Sequence, residues 1–484
     1  MIEPRHPGLA GADSRRRWTR KALFLAVLLA AAGGLVAARP LSLRPPRPQA
    51  DIEKVLAEGP HAGECERCHT THGDESGIVY PSALIGPNDN ALCRRCHDTA
   101  WAGGSWADDP LYRGTGHGSN PAAVWPGPAP AARIEPDAAG KCVNCHDPHG
   151  MDDAQGRIPR LAVQREERLC LTCHDGNPAS LDVASDFAKP YRHPAANWSG
   201  RHRDATESQP SDFGRLPLDN RHSECDDCHN PHVSRADGPL GASGSDASKT
   251  TLGVSRVTVL NGAAGTPPLY TFVAGSDTLS APNAEYQLCF KCHSSWTTQP
   301  AGQTDMALVL NAANPSHHAV EAPGANPGID PLSFTSPWSP SSTVRCGDCH
   351  GSDFGSARGP HGSIYPKLLR APYEASSLSR PTSSGELCFR CHSFDVYADD
   401  NSPESTKQRS RFNAPGAGKG HTGHVSGENV PCYACHVTHG STTKPFLVAT
   451  GRMPGLSAYT ATANGGTCTT TCHDSQSYTV NYAR

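Results

Sequence analysis

Cysteine and histidine recur together in this chain at a spacing that carries chemistry. All 20 cysteines of the 484 residues fall into ten clusters, and each cluster ends in Cys-His. Nine clusters read Cys-x-x-Cys-His, and the last one has an extra residue between its cysteines. The clusters are Cys65, Cys68 and His69; Cys93, Cys96 and His97; Cys142, Cys145 and His146; Cys170, Cys173 and His174; Cys225, Cys228 and His229; Cys289, Cys292 and His293; Cys346, Cys349 and His350; Cys388, Cys391 and His392; Cys432, Cys435 and His436; and Cys468, Cys472 and His473.

This spacing is that of covalent haem attachment. The two thiols can form thioethers to the porphyrin vinyl groups while the adjacent histidine ligates the iron. A disulfide framework and paired zinc sites are the alternatives. Neither needs a histidine after every second cysteine, and histidine is only 25 of the 484 residues. We therefore predict ten covalent haem c groups, including one at the longer Cys468 cluster.

The clusters come in five pairs whose two members differ in their flanking residues. The first cluster of each pair is followed by another histidine, which we call the post-cluster histidine. Leucine precedes the second cluster, with Thr467 as the exception. This regularity predicts a repeated two-haem unit. The predicted organisation is a signal segment at 1–38, a linker at 39–60, and units at 61–112, 113–190, 191–300 with an insertion at 234–285, 301–400 and 401–484.

The post-cluster histidines are candidates for the second axial ligand of iron. His72 stands three residues after His69, on the same stretch of chain. Because axial ligands approach opposite faces of the ring, His72 can hardly cap the haem that His69 holds. We expect such residues to reach a neighbouring haem, the second haem of their own unit being one candidate. The post-cluster histidines are His72, His149, His232, His361 and His439.

The remaining axial ligands are expected upstream of each first cluster. An exposed histidine needs no role, so an ordinary surface residue is the alternative at each position. The candidates are His61, His117, His222, His318 and His424, with His317 and His421 as competitors of the last two and with His193 and His202 also available in the third unit.

The N-terminus has the pattern of a targeting segment. A basic stretch at 15–21 precedes an apolar run at 22–38 that ends in small residues. We expect an exported protein, in the periplasm or outside the cell. The alternative is an uncleaved anchor, since about 17 apolar residues is the lower limit for crossing a bilayer. Only this segment is expected to contact a membrane.

Composition limits the fold and the partners. With 47 Gly, 43 Pro and 36% hydrophobic residues, a large conventional core is not expected. We predict mostly irregular coil with short α-helices wrapped around a chain of stacked haems. Two β-prone runs in the insertion, 254–260 and 269–273, predict a small β-hairpin near 250–275. The net charge of -4 becomes more negative without residues 1–38, which excludes nucleic acid as a partner.

The paired clusters resemble those of multihaem cytochromes of the doubled-CxxCH kind, which include periplasmic and extracellular electron carriers of metal-respiring bacteria. The resemblance rests on Cys142-Val-Asn-Cys145-His146-Asp-Pro-His149-Gly150, on Leu169-Cys170-Leu-Thr-Cys173-His174, and on their four counterparts. It implies haems that are mostly bis-histidine and stacked in chains. The departures are the Cys468 cluster, the distant His361, Val233 in place of glycine, and the insertion.

Electron transfer is the function that this resemblance implies, with no catalytic residue assigned. The expected partners are redox proteins, other cytochromes or an outer-membrane conduit. One alternative is a reductase of nitrite, hydroxylamine or a sulfur oxyanion, with one open haem at the Cys468 cluster. Another is a subunit of a self-assembling haem filament or of an outer-membrane conduit.

Overall fold

The computed structural model describes the chain from residue 61 to residue 480 with several gaps. All described residues belong to one compact unit, 50–484. The predicted signal segment, the linker, His202 and His222 lie outside them. The described residues are 61, 63–74, 76–97, 112, 114–126, 142–154, 156–195, 223–235, 244, 246–275, 284–299, 301–353, 359–373, 386–413 and 420–480.

Helices in the described residues are short, as the Gly- and Pro-rich sequence predicts, and several coincide with the cysteine clusters. The α-helices are Asn90–Arg94, Gly116–Ser119, Glu166–Leu171, Val183–Asp186, Cys225–Cys228, Glu285–His293, Met306–Leu310, Cys346–Cys349, Phe394–Tyr397 and Glu404–Lys407. The 3-10 helices are Cys65–Arg67, Pro81–Ala83, Cys142–Asn144, Pro159–Leu161, Lys249–Thr251, Pro331–Ser333, Pro366–Leu368, Leu387–Arg390, Gln408–Ser410 and Cys432–Ala434, and Gly423–Gly427 is a π-helix. None of these helices is long and apolar enough to span a membrane.

Strands form small antiparallel sheets. They are β1 (Asp152–Asp153), β2 (Gly156–Arg157), β3 (Tyr191–Arg192), β4 (Arg256–Leu260), β5 (Leu269–Val273), β6 (Ser316–His317), β7 (Gly362–Ser363), β8 (Gly440–Ser441), β9 (Leu456–Thr462), β10 (Gly465–Thr470) and β11 (Gln476–Thr479). The two-stranded sheets are β1–β2, β3–β7, β4–β5 and β6–β8. The pairs β3–β7 and β6–β8 join segments that are far apart in sequence.

The predicted hairpin in the insertion is confirmed. Strands β4 and β5 pair antiparallel, with Leu260 opposite Leu269. Val257 on β4 is fully buried and packs with Trp296, which explains why β-branched residues stand on this strand.

The sequence analysis did not predict the three-stranded sheet β9–β10–β11 near the C-terminus. Its order is β11–β10–β9, and Cys468 lies on β10 opposite Tyr459. A signal was present, because the β-prone run of β9 is followed by Asn464-Gly465, a dipeptide that favours tight hairpin turns.

The described residues hold small apolar clusters rather than one large core, which agrees with the composition. One cluster consists of Phe290, Ala307, Leu310 and Val320. The others are Val257 and Trp296; Phe389, Ala398 and Val425; and Val448, Leu456 and Tyr459. The combination of short helices, small sheets and coil is thus as expected.

Replacing Gly362 on β7 tests the close packing of this strand against the end of the helix Val183–Asp186. A Cβ atom at this position would overlap the backbone oxygen of Asp186. We expect Gly362→Ala to lower the free energy of unfolding by about 1–3 kcal/mol, the usual range for overpacking. Denaturant unfolding of the holoprotein measures this. Gly86→Ala is the matched control, since no atom lies within 4 Å of its Cβ position. Equal midpoints for both variants would contradict this packing.

Candidate functional site

A single continuous cavity runs along the described residues and is lined by all ten clusters. Its volume is about 5150 Å³, whereas a pocket for one drug-sized ligand measures about 300–1,000 Å³. The cavity therefore has room for several large ligands side by side. Its walls carry the cysteines and histidines that the sequence analysis singled out.

The cysteines do not form disulfides. All 20 are free. Within the described part of the chain, one group has the spacing to share a metal ion, and it consists of Glu285, Cys289 and Cys346. A structural zinc site takes four ligands, so this group does not support the zinc alternative.

Consecutive units meet where cysteine side chains touch. The second cluster of one unit and the first cluster of the next bring one thiol each into hydrogen-bonding contact. The contacts are Cys93 with Cys142, Cys170 with Cys225, Cys289 with Cys346, and Cys388 with Cys432. Where two units meet, the clusters that follow one another in sequence are thus also neighbours in space.

One hydrogen bond orients the histidine of every first cluster. In each unit, Nδ1 faces a backbone carbonyl 10 to 21 residues downstream at 2.8 to 3.0 Å. The partners are His69 with Ser82, His146 with Arg160, His229 with Thr250, His350 with Lys367, and His436 with Phe446. Because Nδ1 is engaged as a donor, Nε2 is the nitrogen left to bind a metal. The bond also supports the prediction of a repeated unit.

Cluster histidines face other histidines across the cavity at a nearly constant distance. Among the described residues, nine such pairs have ring centroids 5.8 to 6.4 Å apart. The pairs are His69–His149, His61–His97, His146–His232, His117–His174, His229–His361, His193–His293, His350–His439, His421–His436 and His424–His473.

The constant distance indicates a spacer between the rings. The interplanar angles range from 9° to 79°, so the pairs share no stacking geometry. Two imidazoles can bind one metal ion through Nε2 from opposite sides, at metal–nitrogen distances of about 2.0–2.1 Å. Their ring centroids are then about 6 Å apart, whatever the angle between the two ring planes. The two rings of each pair are therefore at the right distance to bind one metal ion between them.

His392 of the eighth cluster is close to His318. Burial, followed by the charge of His318, lowers the pKa of His392 to about 4. Nδ1 of His317 faces the carbonyl of His318 instead. His318 is thus the better placed of the two upstream candidates in this unit.

A second set of hydrogen bonds holds the upstream histidines at the boundaries between units. Nδ1 of each faces the carbonyl of the residue just before a post-cluster histidine of the next unit. These partners are His61 with Pro148, His117 with Pro231, His193 with Pro360, and His318 with Thr438. Strands β3–β7 and β6–β8 reinforce the last two contacts.

The pairing of rings connects neighbouring units as well as residues of one unit. The post-cluster histidines face the first cluster of the preceding unit, as His149 faces His69, rather than the second haem of their own unit. The upstream histidines face the second cluster of their unit, as His61 faces His97, rather than the first. The reason is the carbonyl bond described above, which fixes both kinds of residue at the boundary between units.

The fifth unit and His72 depart from this scheme. In the fifth unit, His421 faces His436 and His424 faces His473, so the unit supplies both of its own partners. Both residues lie in or next to the π-helix Gly423–Gly427. His72 is exposed, and its Nδ1 contacts Thr71 Oγ1 at 2.8 Å.

Burial keeps many of these imidazoles neutral, which leaves a nitrogen lone pair for a metal. Burial in the cavity wall is the largest cause, and the charges of neighbouring histidines add to it. The pKa is lowered to about 4 for His174, His232, His361 and His439 and to about 3 for His421.

Comparison with known proteins agrees with this site. The family model described as the doubled CXXCH motif matches residues 59–101, 135–179 and 339–396. No curated protein and no solved structure matches the chain. The matched regions lie in the first, second and fourth units, while the units with the insertion and the longer cluster lie outside them. Together with the clusters, the match supports a multihaem c-type cytochrome, in which the haem is bound covalently.

Removing both thiols of one cluster tests the covalent attachment. We expect Cys142→Ala/Cys145→Ala to lower the mass of the intact protein by one haem beyond the mass of the substituted atoms. The single variant Cys145→Ala is the control, because one thioether still holds the group. Mass spectrometry after acid–acetone extraction measures this. Identical haem content in both variants would contradict the assignment.

Proposed function

We propose that the chain is an electron-transfer cytochrome with ten covalent haems, each held between two histidines, that relays electrons in the periplasm or to extracellular acceptors. The observation that carries this proposal is the nearly constant 5.8 to 6.4 Å separation of the histidine pairs around one continuous cavity. Paired neutral imidazoles are the ligands of iron that shuttles electrons without binding substrate.

Each residue type has a separate role in the proposed protein. The cysteines attach the haem, the cluster histidines bind the iron from one side, and the facing histidines bind it from the other. The carbonyl bonds to Nδ1 fix the ring orientation and the tautomer, and they increase the basicity of Nε2. The haem iron itself supplies one-electron chemistry.

Clusters that follow one another in sequence also lie next to one another. Between units, the thiol contacts link second clusters to first clusters. Inside units, the charges of facing thiols raise the pKa of a neighbouring thiol, as those of Cys93 and Cys96 do for Cys68, after the larger effect of burial. Cys349 with Cys391 is a second example. Neighbouring haems would therefore follow the chain in order, which is the arrangement that a relay requires.

Export and partner choice rest on the sequence. The apolar run after a basic stretch directs the chain out of the cytoplasm, where haem attachment can follow export. The acidic chain favours redox partners with basic surfaces, through complementary charge.

A reductase is the second candidate, and it needs an iron with an open or easily vacated face. The tenth site is where this requirement is most nearly met. Cys472 and His473 are exposed, and the His424–His473 pair has the widest ring separation of the nine, 6.4 Å.

Carbon monoxide distinguishes the two candidates, because it binds reduced haem only where a distal position is open. We expect no change in the visible spectrum of the reduced holoprotein, since two imidazoles occupy every iron. His424→Ala is the positive control and should bind one equivalent. Binding of one equivalent to the wild type would instead favour the reductase, with the Cys468 haem as its site.

The pairing of His149 with His69 across two units gives a second test. We expect His149→Ala to convert one haem to the high-spin state, measured by electron paramagnetic resonance. This signal should persist when Cys142 and Cys145 are both replaced by alanine. It should be absent when Cys65 and Cys68 are both replaced by alanine, because the affected haem is then missing. The opposite dependence would assign His149 to another haem.

A further inference from the structure

Four boundaries between units share one arrangement. At each boundary, a post-cluster histidine faces the first-cluster histidine of the preceding unit. The residue just before this post-cluster histidine has a backbone carbonyl that accepts a hydrogen bond. The donor is Nδ1 of an upstream histidine in the same preceding unit. A post-cluster histidine therefore always serves the unit before its own.

The first unit carries the same half of this arrangement, and residues 1–60 before it contain no Cys-x-x-Cys-His cluster. Gly73 after His72 has φ +87°, and Gly150 after His149 has φ +76°, so the two turns follow the same left-handed path. His72 and Thr71 are exposed. Cys65 is exposed too, whereas Cys142, its counterpart in the second unit, is partly covered.

The loop that carries His72 is held in place by its own hydrogen bonds. The Asp74 carboxylate accepts from the backbone N–H groups of Ser76 and Ile78 at 2.9 Å each. The hydroxyl of Ser76, which also donates to this carboxylate, lowers the pKa of Asp74 most, and the backbone bonds add to the effect. The turn places the backbone carbonyl of Ile78 against Gly73, the residue after His72, and Ile78 and Val79 are 52% and 70% exposed. A rigid imidazole with an apolar edge beside it is suited to a flat, apolar ligand.

Neither this chain nor a second copy of it offers a natural occupant for this face. Residues 1–60 contain no Cys-x-x-Cys-His cluster, so they bring no haem to His72. The fifth unit, which a second copy would present, pairs both of its cluster histidines with its own His421 and His424. The occupant must therefore bring an iron that lacks a second ligand.

We propose that the face formed by Thr71, His72, Ile78 and Val79 docks a different c-type cytochrome, and that His72 supplies the missing axial ligand of its terminal haem. This inference rests on the proposed electron-transfer function. This contact would resemble the boundaries between units inside the chain. The partner would stand where a preceding unit stands at those boundaries, and its haem would take the position of that unit's first haem. The relay thereby extends into the partner.

A haem peptide with one histidine ligand and one open axial position is the probe for this face. Added to the full-length holoprotein, it should change from high spin to low spin at one equivalent, measured by electron paramagnetic resonance. We expect His72→Ala to weaken this binding at least tenfold. His72→Met should restore binding with a methionine-type spectrum, because methionine is also an axial ligand of c-type haem.

The apolar edge has its own matched pair of variants. Ile78→Asp should weaken binding of the haem peptide several-fold, because a carboxylate then stands beside the bound ring. Leu332→Asp is the control, since Leu332 is 61% exposed on the distant 3-10 helix Pro331–Ser333 and should leave binding unchanged. Equal effects of the two aspartates would count against a defined docking face.

Three further outcomes would overturn the inference. His72→Ala could bind the peptide as tightly as the wild type. It could convert one of the chain's own haems to high spin, which would make His72 an internal ligand. It could also abolish a dimer that the wild type forms without the peptide, which would make a second copy the occupant. Failure of the electron-transfer proposal has a different signature, carbon monoxide binding by the holoprotein alone.

Discussion

The hydrogen bond from a histidine Nδ1 to a backbone carbonyl is the constraint on which the described structure depends. It recurs in all five first clusters and at four boundaries between units. One type of bond thereby sets the ring plane, chooses the tautomer and connects distant segments. The described residues form only small apolar clusters, so these polar contacts fix the relative positions of the chain segments. In other proteins a large hydrophobic core has this role.

Because of these bonds, the repeated units are interleaved rather than stacked as independent modules. Each later unit contributes both a ligand candidate and a carbonyl partner to the unit before it, as the second unit does with His149 and Pro148. Strands β3–β7 and β6–β8 add long-range pairing at two of the boundaries. Repeat proteins usually contact only adjacent repeats, and here the contact includes the chemistry of the site itself. The fifth unit closes the series with its own pair of histidines on one short π-helical segment.

Patterns in the sequence predicted the features that depend on residues close to one another along the chain. The paired clusters, the hairpin β4–β5 and the small apolar clusters of the described residues all follow from spacing and composition. The choice of partner for each histidine did not, because His149 and His69 are 80 residues apart and no periodicity connects them. A subtler signal existed, since proline precedes His149, His232 and His361 and presents the carbonyl that the upstream ring meets.

Each later unit supplies a histidine to the unit before it, and this order affects how the protein is made. In the proposed exported protein the chain would emerge from its N-terminus, and under the proposed ligation the first haem of each of the first four units would be completed by a residue of the unit that emerges next. The haem on Cys65 and Cys68 waits for His149, and the one on Cys346 and Cys349 waits for His439. Each of these irons would therefore stay half-ligated and redox-active until the next unit emerges. Only the last unit would complete both of its own haems, and its arrival would also complete the first haem of the fourth unit.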